Sequence, residues 1–502
     1  MATASGPWRL PLEVRHNVAM VLILPSAHEG CIRWTMSPVQ DLRDAGDTAT
    51  SPEGRTFYVS MPPHRVFAIG SLVSLTDSEG VIRLAQVESH QLLTDGQIRA
   101  AGRVLGTLGA KGLNTSAMSV FGSAKVSAAD RAMITSLHLG AEATLDIGTI
   151  ASGPDLPARL MPRRLNRHTF WCGQSGSGKT YALGVLLEEM LLQTELPMII
   201  FDPNGDFVRL ADVRQDAPAE RAVQLRQREI RVLRPRNQPG EDLRVRFTAL
   251  ELPAKAAMLR LDPLIDRAEY NTLLHLEELL SEQTQDQILP TLQGSSDPAH
   301  NSLALRIDNL GLLNWEIWAL GEPAATEIID ARPPATVLDL GGFHNNEEPL
   351  VVALSVLDDL WLRRNERRPV LLVIDEANNL CSPDLASPLL AAVKERIIQI
   401  AAEGRKYGLW LLLSTQRPSK IHPSIISQCD NLALMKMSSQ GDLDELAKVF
   451  GFAPPSLLSQ VTQFHQGEAL LAGGFAPVAT AVRVRRRFTN EGGRDVAVPV
   501  RQ

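Results

Sequence analysis

The sequence offers little to a secreted, membrane-spanning or metal-stapled fold. Its four cysteines, Cys31, Cys172, Cys381 and Cys429, lie far apart with no paired spacing, which argues against a disulfide framework and against a zinc site. A reducing, cytoplasmic setting is therefore expected. Long apolar runs are missing too: a candidate such as Leu409 to Leu413 is strand-sized, whereas a membrane span needs about 20 apolar residues. Near the N-terminus only Arg9 and Arg15 are early positive charges, and the apolar stretch from Val18 to Pro25 is broken and followed by polar residues. No signal peptide is expected. An excess of positive charge is also absent, the net charge being −7. Such a balance gives no global attraction to nucleic acid, although a ring can hide a basic channel inside an acidic body. No internal repeat, low-complexity tract or nuclease motif is evident. What remains is ordinary globular composition over 502 residues, enough for about two or three cores.

The chain has two rhythms. From about Val14 to Leu145 short β-type segments alternate with turn residues, as in Gly70 to Thr76 followed by Asp77-Ser-Glu-Gly80, then Val81 to Val87 and Ala101 to Thr107. Alternation with Gly and Asp breaks predicts a small barrel or sandwich over residues 1–152. The stretch Pro154 to Arg167 is rich in proline and arginine with little apolar periodicity, and a domain boundary is expected there. From His168 apolar strands alternate with helical stretches, the pattern of a largely parallel α/β sheet with covering helices over 153–482. The predicted strands are Thr169 to Cys172, Met198 to Asp202, Thr336 to Leu340, Val370 to Asp375, Leu409 to Ser414 and Leu432 to Met435. The gap between the second and third is too long for a crossover alone. With helical patterns at Ala268 to Leu280 and Leu303 to Leu320, it reads as a mostly helical insertion at about 207–334.

The strongest local signal is Gly173-Gln-Ser-Gly-Ser-Gly-Lys-Thr180, a G-x-x-x-x-G-K-[ST] motif between a predicted strand and a predicted helix. A Gly/Ser-rich turn can match by accident, and it is the flanking strand and helix that make the match specific. Gly173, Ser175, Gly176, Ser177 and Gly178 would turn backbone N–H groups toward phosphates, at the positive end of the following helix. Lys179 would reach the β- and γ-phosphates of ATP, and Thr180 would place its hydroxyl on Mg²⁺. The partner signal is Val370-Leu-Leu-Val-Ile-Asp-Glu376, an apolar strand ending in two acids. Asp375 would hold Mg²⁺ and Glu376 would act as general base on the attacking water. Gln416, at the end of a further apolar strand, is a candidate sensor of the γ-phosphate; a glutamine there also serves as a solvated cap. In Glu403-Gly-Arg-Lys-Tyr407, Arg405 is a candidate arginine finger, a role that requires a ring or filament. An arginine in a turn is commonly just solvated, and Lys406 competes for the same role.

Taken in order, these motifs resemble the HerA branch of the HerA–FtsK superfamily of hexameric DNA translocases. The resemblance rests on His168 to Thr180, Phe201-Asp-Pro-Asn-Gly-Asp206, Val337-Leu-Asp-Leu340, Glu403 to Gly408 leading into Ser414-Thr-Gln-Arg-Pro-Ser-Lys-Ile421, Pro423, Ile426-Ser-Gln-Cys429, and Gly467-Glu-Ala-Leu-Leu-Ala-Gly473. It implies a RecA-like P-loop core, an N-terminal HAS-barrel and a homohexamer with a central channel. It also supports Arg405 as finger and Gln416 as sensor. Two positions depart from the family pattern: Asn378 stands where a histidine is common, and Gly205-Asp206 where Gly-Glu is common. Both departures leave the phosphate lysine and the acid pair intact. The resemblance further implies ATP-driven movement on double-stranded DNA, in DNA repair or antiviral defence. The partner would be a NurA-like nuclease or an antiviral effector, sirtuin-like or another nuclease, bound through the barrel. A hexameric scaffold that switches an effector with ATP is the alternative.

Contact with DNA would be independent of sequence and would come from Lys and Arg on phosphates. Lys394, Arg396 and Lys420 are the basic candidates, each equally readable as a solvated surface charge. The cluster Arg483, Arg485, Arg486 and Arg487 opens a basic C-terminal segment over 483–502, readable as a strand or as a tail packed on a neighbour.

Overall fold

A computed structural model describes residues 48–109, 112–116, 118–276, 287–384 and 387–493. The β-type region expected from Val14 to residue 47, the stretch Val18 to Pro25, Cys31 and the last residues of the basic C-terminal segment lie outside the described residues.

The N-terminal strands alternate in burial because alternate side chains leave a strand on opposite sides. β1 (Thr48–Ser51), β2 (Thr56–Met61), β3 (Leu72–Asp77), β4 (Ile82–Leu92), β5 (Ile98–Gly109), β6 (Gly112–Asn114) and β7 (Phe121–Ala128) form one antiparallel sheet in the order β2-β1-β7-β3-β4-β5-β6. A further pairing of β2 with β5 closes six of these strands into a barrel. Phe57, Val59, Met61, Leu75, Val87, Val104 and Phe121 fill it. Closure removes the open strand edges that would otherwise invite pairing with other chains.

A helix, α1 (Arg131–Gly140), leads from the barrel into a twelve-stranded sheet. Its members are β8 (Leu145–Ile150), β9 (Gly153–Leu160), β10 (His168–Cys172), β11 (Met198–Asp202), β12 (Ile230–Arg234), β13 (Glu241–Asp242), β14 (Ala335–Asp339), β15 (Val370–Ile374), β16 (Leu409–Thr415), β17 (Cys429–Met435), β18 (Glu468–Gly473) and β19 (Thr480–Val484). The order is β13-β12-β14-β11-β15-β16-β10-β17-β18-β19-β8-β9. Pairing is parallel from β13 through β17 and antiparallel beyond. Both faces are covered, so the central strands read as unbroken apolar runs instead of alternating ones. In β10, Phe170 and Cys172 point into one core and Trp171 into the other. The second core is built on α2 (Lys179–Gln193), whose Ala182, Leu183, Leu186 and Leu187 are all fully buried. His168 is a satisfied core histidine: its Nδ1 accepts from the Leu411 N–H at 2.9 Å and its Nε2 donates to the Ala401 carbonyl at 3.0 Å. Burial pushes its pKa down to about 4, so the ring is neutral at neutral pH.

The six strands predicted for the parallel α/β sheet are present, each within a few residues of the expected bounds. Several local expectations change. The helical pattern at Leu303 to Leu320 forms a helix only over Pro298–Asn309, because Gly311 turns left-handed (φ 62°) and ends it. Trp318 then forms an isolated parallel bridge with Val245, whose N–H donates to the Ile317 carbonyl at 2.6 Å. The insertion also contributes β12 and β13, which extend the parallel sheet. At Ala268 to Leu280 the helix runs over Arg267–Leu274, and residues 277–286 lie outside the described residues. The Pro154 to Arg167 stretch carries most of β9 and a 3-10 turn at Pro162–Asn166, and β8 joins the large sheet through β19.

No helix among the described residues is long and apolar enough to cross a membrane. Cys172, Cys381 and Cys429 are buried free thiols.

Candidate active site

The predicted phosphate loop sits where β10 gives way to α2. Gly176 (φ 75°) and Gly178 (φ 89°) take left-handed backbone that a Cβ would strain, which is why glycine stands at both positions. The loop is pinned from both sides. The Gly173 N–H donates to Thr415 at the end of β16, the Gln174 N–H to Lys436, and the Gly467 N–H to the Ser177 carbonyl. Over it lies a cavity of about 870 Å³ whose walls include Ser175, Lys179, Thr180, Asp206 and Gln416. The Ser177 hydroxyl is buried without a partner.

Lys179 is buried and fully engaged. Its Nζ donates to Asp375 Oδ1 at 2.9 Å and to Ser414 Oγ at 2.8 Å, and lies 3.1 Å from Glu376 Oε1. Burial works against its charge, but the two carboxylates outweigh burial and hold its pKa above the ordinary lysine value. β15 delivers Asp375 from a wholly buried strand, and Ser414 of neighbouring β16 donates to the same Asp375 oxygen at 2.6 Å. The other oxygen, Oδ2, is buried with no partner. Glu376 carries a positive φ of 43°, a backbone state that costs a non-glycine residue about 1–3 kcal/mol and is tolerated where the surroundings fix it. The Gln416 amide supplies part of that fixing by donating to Glu376 Oε1 at 2.8 Å. The structure thus brings together Lys179, Asp375, Glu376 and Gln416, which lie far apart in sequence, at the carboxyl ends of adjacent parallel strands, where open α/β sheets bind ligands. Asn378, the departure from the family pattern, accepts from the Thr415 hydroxyl at 2.8 Å.

Two acids that residue-by-residue reading passed over join this site. Asp202 and Asp206 place carboxylate oxygens within 4.8 Å of each other and of Asp375. Asp202 accepts from the Asp206 and Phe207 N–H groups at 2.9 and 2.7 Å. Burial, against those two bonds, and the neighbouring carboxylates push its pKa up to about 7. Burial and then Asp375 also raise that of Asp206, against the opposing pull of Lys179. The available signal was positional: like Asp375, Asp202 ends an apolar parallel strand next to the strand that carries the acid pair. Three convergent carboxylates and a buried, unpaired Asp375 oxygen are a donor set suited to a hard divalent cation such as Mg²⁺.

Arg405 lies elsewhere. It sits in the turn before β16, whereas the phosphate loop contacts the far end of that strand. At about 3.3 Å per residue over β16 this is a separation of about 20 Å, so Arg405 does not approach its own chain's loop. It is half-exposed and paired with Asp430 at 2.5 Å. Lys406, more exposed, lies 3.7 Å from Glu403. Of the basic candidates for DNA, Lys394 is only 5% exposed and Arg396 is held by Asp358 at 2.6 Å, so neither is free to meet an outside phosphate in this chain. Lys420 is exposed and paired with Asp384 at 3.0 Å. Arg485 and Arg487 do not form a free tail: they fold back on α2 of their own chain, Arg485 reaching Glu188 and Glu189 at 3.0 and 2.9 Å.

Residues 145–356 match the family described as the central domain of helicase HerA. This stretch of the chain is similar to that domain. Among curated relatives, the DNA double-strand break repair helicase HerA of Sulfurisphaera tokodaii is 22% identical over 359 residues, covering 68% of this chain and 69% of the relative. The probable helicase MJ1565 of Methanocaldococcus jannaschii is 29% identical over 150 residues, or 29% of this chain. The chain spans little more than a quarter of that relative, 28% of its length. Among solved structures, VirB4 of Thermoanaerobacter pseudethanolicus aligns with a TM-score of 0.46 and 15% identity over 68% of this chain and 96% of that one.

Proposed function

We propose that this HerA-type chain is an ATP hydrolase that forms a hexameric ring and uses turnover to move double-stranded DNA through its channel. The observation that carries the hydrolase part of the reading is the contact set of Lys179 with Asp375, Glu376 and, through Glu376, Gln416; the ring and the DNA rest on the similarity to HerA. Lys179 and Glu376, the phosphate lysine and the general base of this reading, lie 3.1 Å apart. Entry of a triphosphate offers Lys179 a new anionic partner, and Glu376, released from the ammonium, remains oriented by Gln416 to accept a proton from water. Thr180 and Asp375 would hold Mg²⁺, with Asp206 facing the same space; the ion would neutralise charge developing on the phosphates. Gln416 links the base to the tip of β16, so a change at the γ-phosphate is felt in the strand that begins beside Arg405. The distance of Arg405 from its own loop fits a finger that serves a neighbouring subunit.

Lys179→Ala is expected to abolish ATP binding in a titration with fluorescent ATP, and binding at the parent affinity would remove this site assignment. A nuclease or antiviral effector would dock on the closed barrel, whose outer face takes no part in the nucleotide site. Deleting the barrel is then expected to abolish effector capture, and retained capture would refute this. The second reading, an ATP-switched hexameric scaffold for an effector without processive translocation, is favoured by the burial of Lys394 and the pairing of Arg396 with Asp358.

A further inference from the structure

The segment after β19 is built into the phosphate-loop region of its own chain. It runs along α2 as a strap tied mainly to one side chain: Glu188, fully buried, accepts from the Phe488 N–H at 2.8 Å, the Thr489 N–H at 2.7 Å and the Thr489 hydroxyl at 2.8 Å. The Arg487 N–H donates to the Tyr181 hydroxyl at 2.7 Å, and the Gly492 N–H to the Asp206 carbonyl at 3.0 Å. Arg487 inserts so closely against α2 that a Cβ on Gly184 would lie 2.5 Å from its guanidinium carbon. Arg485 and Arg487 reach acids of α2, and Arg486 between them lines the cavity over the phosphate loop together with Arg485, Ser175, Lys179 and Thr180.

The charges in that cavity are unevenly used. Lys179 is matched by Asp375 and Glu376, and Arg485 by Glu188 and Glu189. Arg486 is exposed, and its guanidinium makes no hydrogen bond or ion pair among the described residues. A planar cation with five donors, held by an anchored backbone beside a phosphate loop, suits the oxygens of a polyphosphate.

We infer that Arg486 is a nucleotide-binding residue, supplied by the C-terminal strap to the phosphates of the nucleoside triphosphate held at the loop of the same chain. The inference rests on the nucleotide reading of that loop. It also gives the strap a purpose beyond packing: Glu188, Tyr181 and Asp206 fix the backbone so that Arg486 stands at the cavity wall.

The test is ATP affinity of the purified full-length chain, without DNA, for Arg486→Ala, Arg486→Lys and Lys179→Ala beside the parent. Because a charge-assisted contact at an exposed site falls at the low end of its range, Arg486→Ala is expected to weaken ATP about tenfold. Arg486→Lys should lose less, and both should keep the parent's melting temperature and mass. Parent-like ATP affinity in Arg486→Ala, with Lys179→Ala unable to bind, overturns the assignment of Arg486 alone. Parent-like affinity in both overturns the reading of the loop itself. An Arg486→Ala protein altered only in assembly or in DNA retention would place the arginine at a subunit or nucleic-acid contact, and overturns the inference too.

Discussion

Glu376→Gln is expected to bind ATP within a few-fold of the parent and to lose turnover by about 100-fold or more, the usual range for removal of a general base. The amide fills the same volume and preserves the approach of Gln416, but it cannot take a proton from water. Lys179 keeps Asp375 and Ser414 as partners, at 2.9 and 2.8 Å, so the phosphate loop stays in place. Titration with fluorescent ATP and phosphate release under saturating ATP check both halves. Turnover within tenfold of the parent would move the base elsewhere, to Asp206 first, because it faces the same cavity.

Arg405→Ala is expected to lower turnover by about a thousandfold in a pure ring, the lower end of what arginine fingers contribute. Mixing it with Glu376→Gln subunits is expected to restore part of that loss. The reason is geometric: β16 separates Arg405 from its own phosphate loop, so the finger of one subunit has only a neighbour's nucleotide to serve. In a mixed ring some interfaces combine an intact Glu376 from one variant with an intact Arg405 from the other. Activity that stays flat at every mixing ratio would remove the finger role. Loss of the Asp430 ion pair is a smaller matter, since both side chains are about half-exposed and such pairs contribute about 0–1 kcal/mol.

Much of the site was legible because its chemistry is written in short, contiguous runs. A phosphate loop needs glycines and a lysine at fixed spacing, and a buried strand ending in two acids is conspicuous wherever it occurs. The parallel strands were legible for a related reason: burial on both faces leaves apolar runs bounded by turn residues. What escaped was decided by pairing at long range. Asp202 becomes part of the site only because β11 lies beside β15, and Asp206 because the following turn folds back over the Asp202 carboxylate. The C-terminal arginines read as a strand or a neighbour's contact; Glu188, buried in the otherwise largely apolar α2, is what draws them onto that helix. Lys394 looked like a surface charge because lysine usually is one, and it is buried in a helix packed between layers. Gly311 ended a helix whose apolar pattern runs past it, a case of one backbone conformation overriding periodicity.

The most direct test of the central claim is ATP turnover by the purified chain with and without linear duplex DNA, at low and high salt, alongside its mass in solution. A DNA-driven ring motor predicts a hexamer whose turnover rises with duplex DNA and loses that rise at high salt, since phosphate contacts weaken as counterions compete. A hexamer whose slow turnover ignores DNA at both salts would contradict translocation and leave the ATP-switched scaffold as the account of this chain.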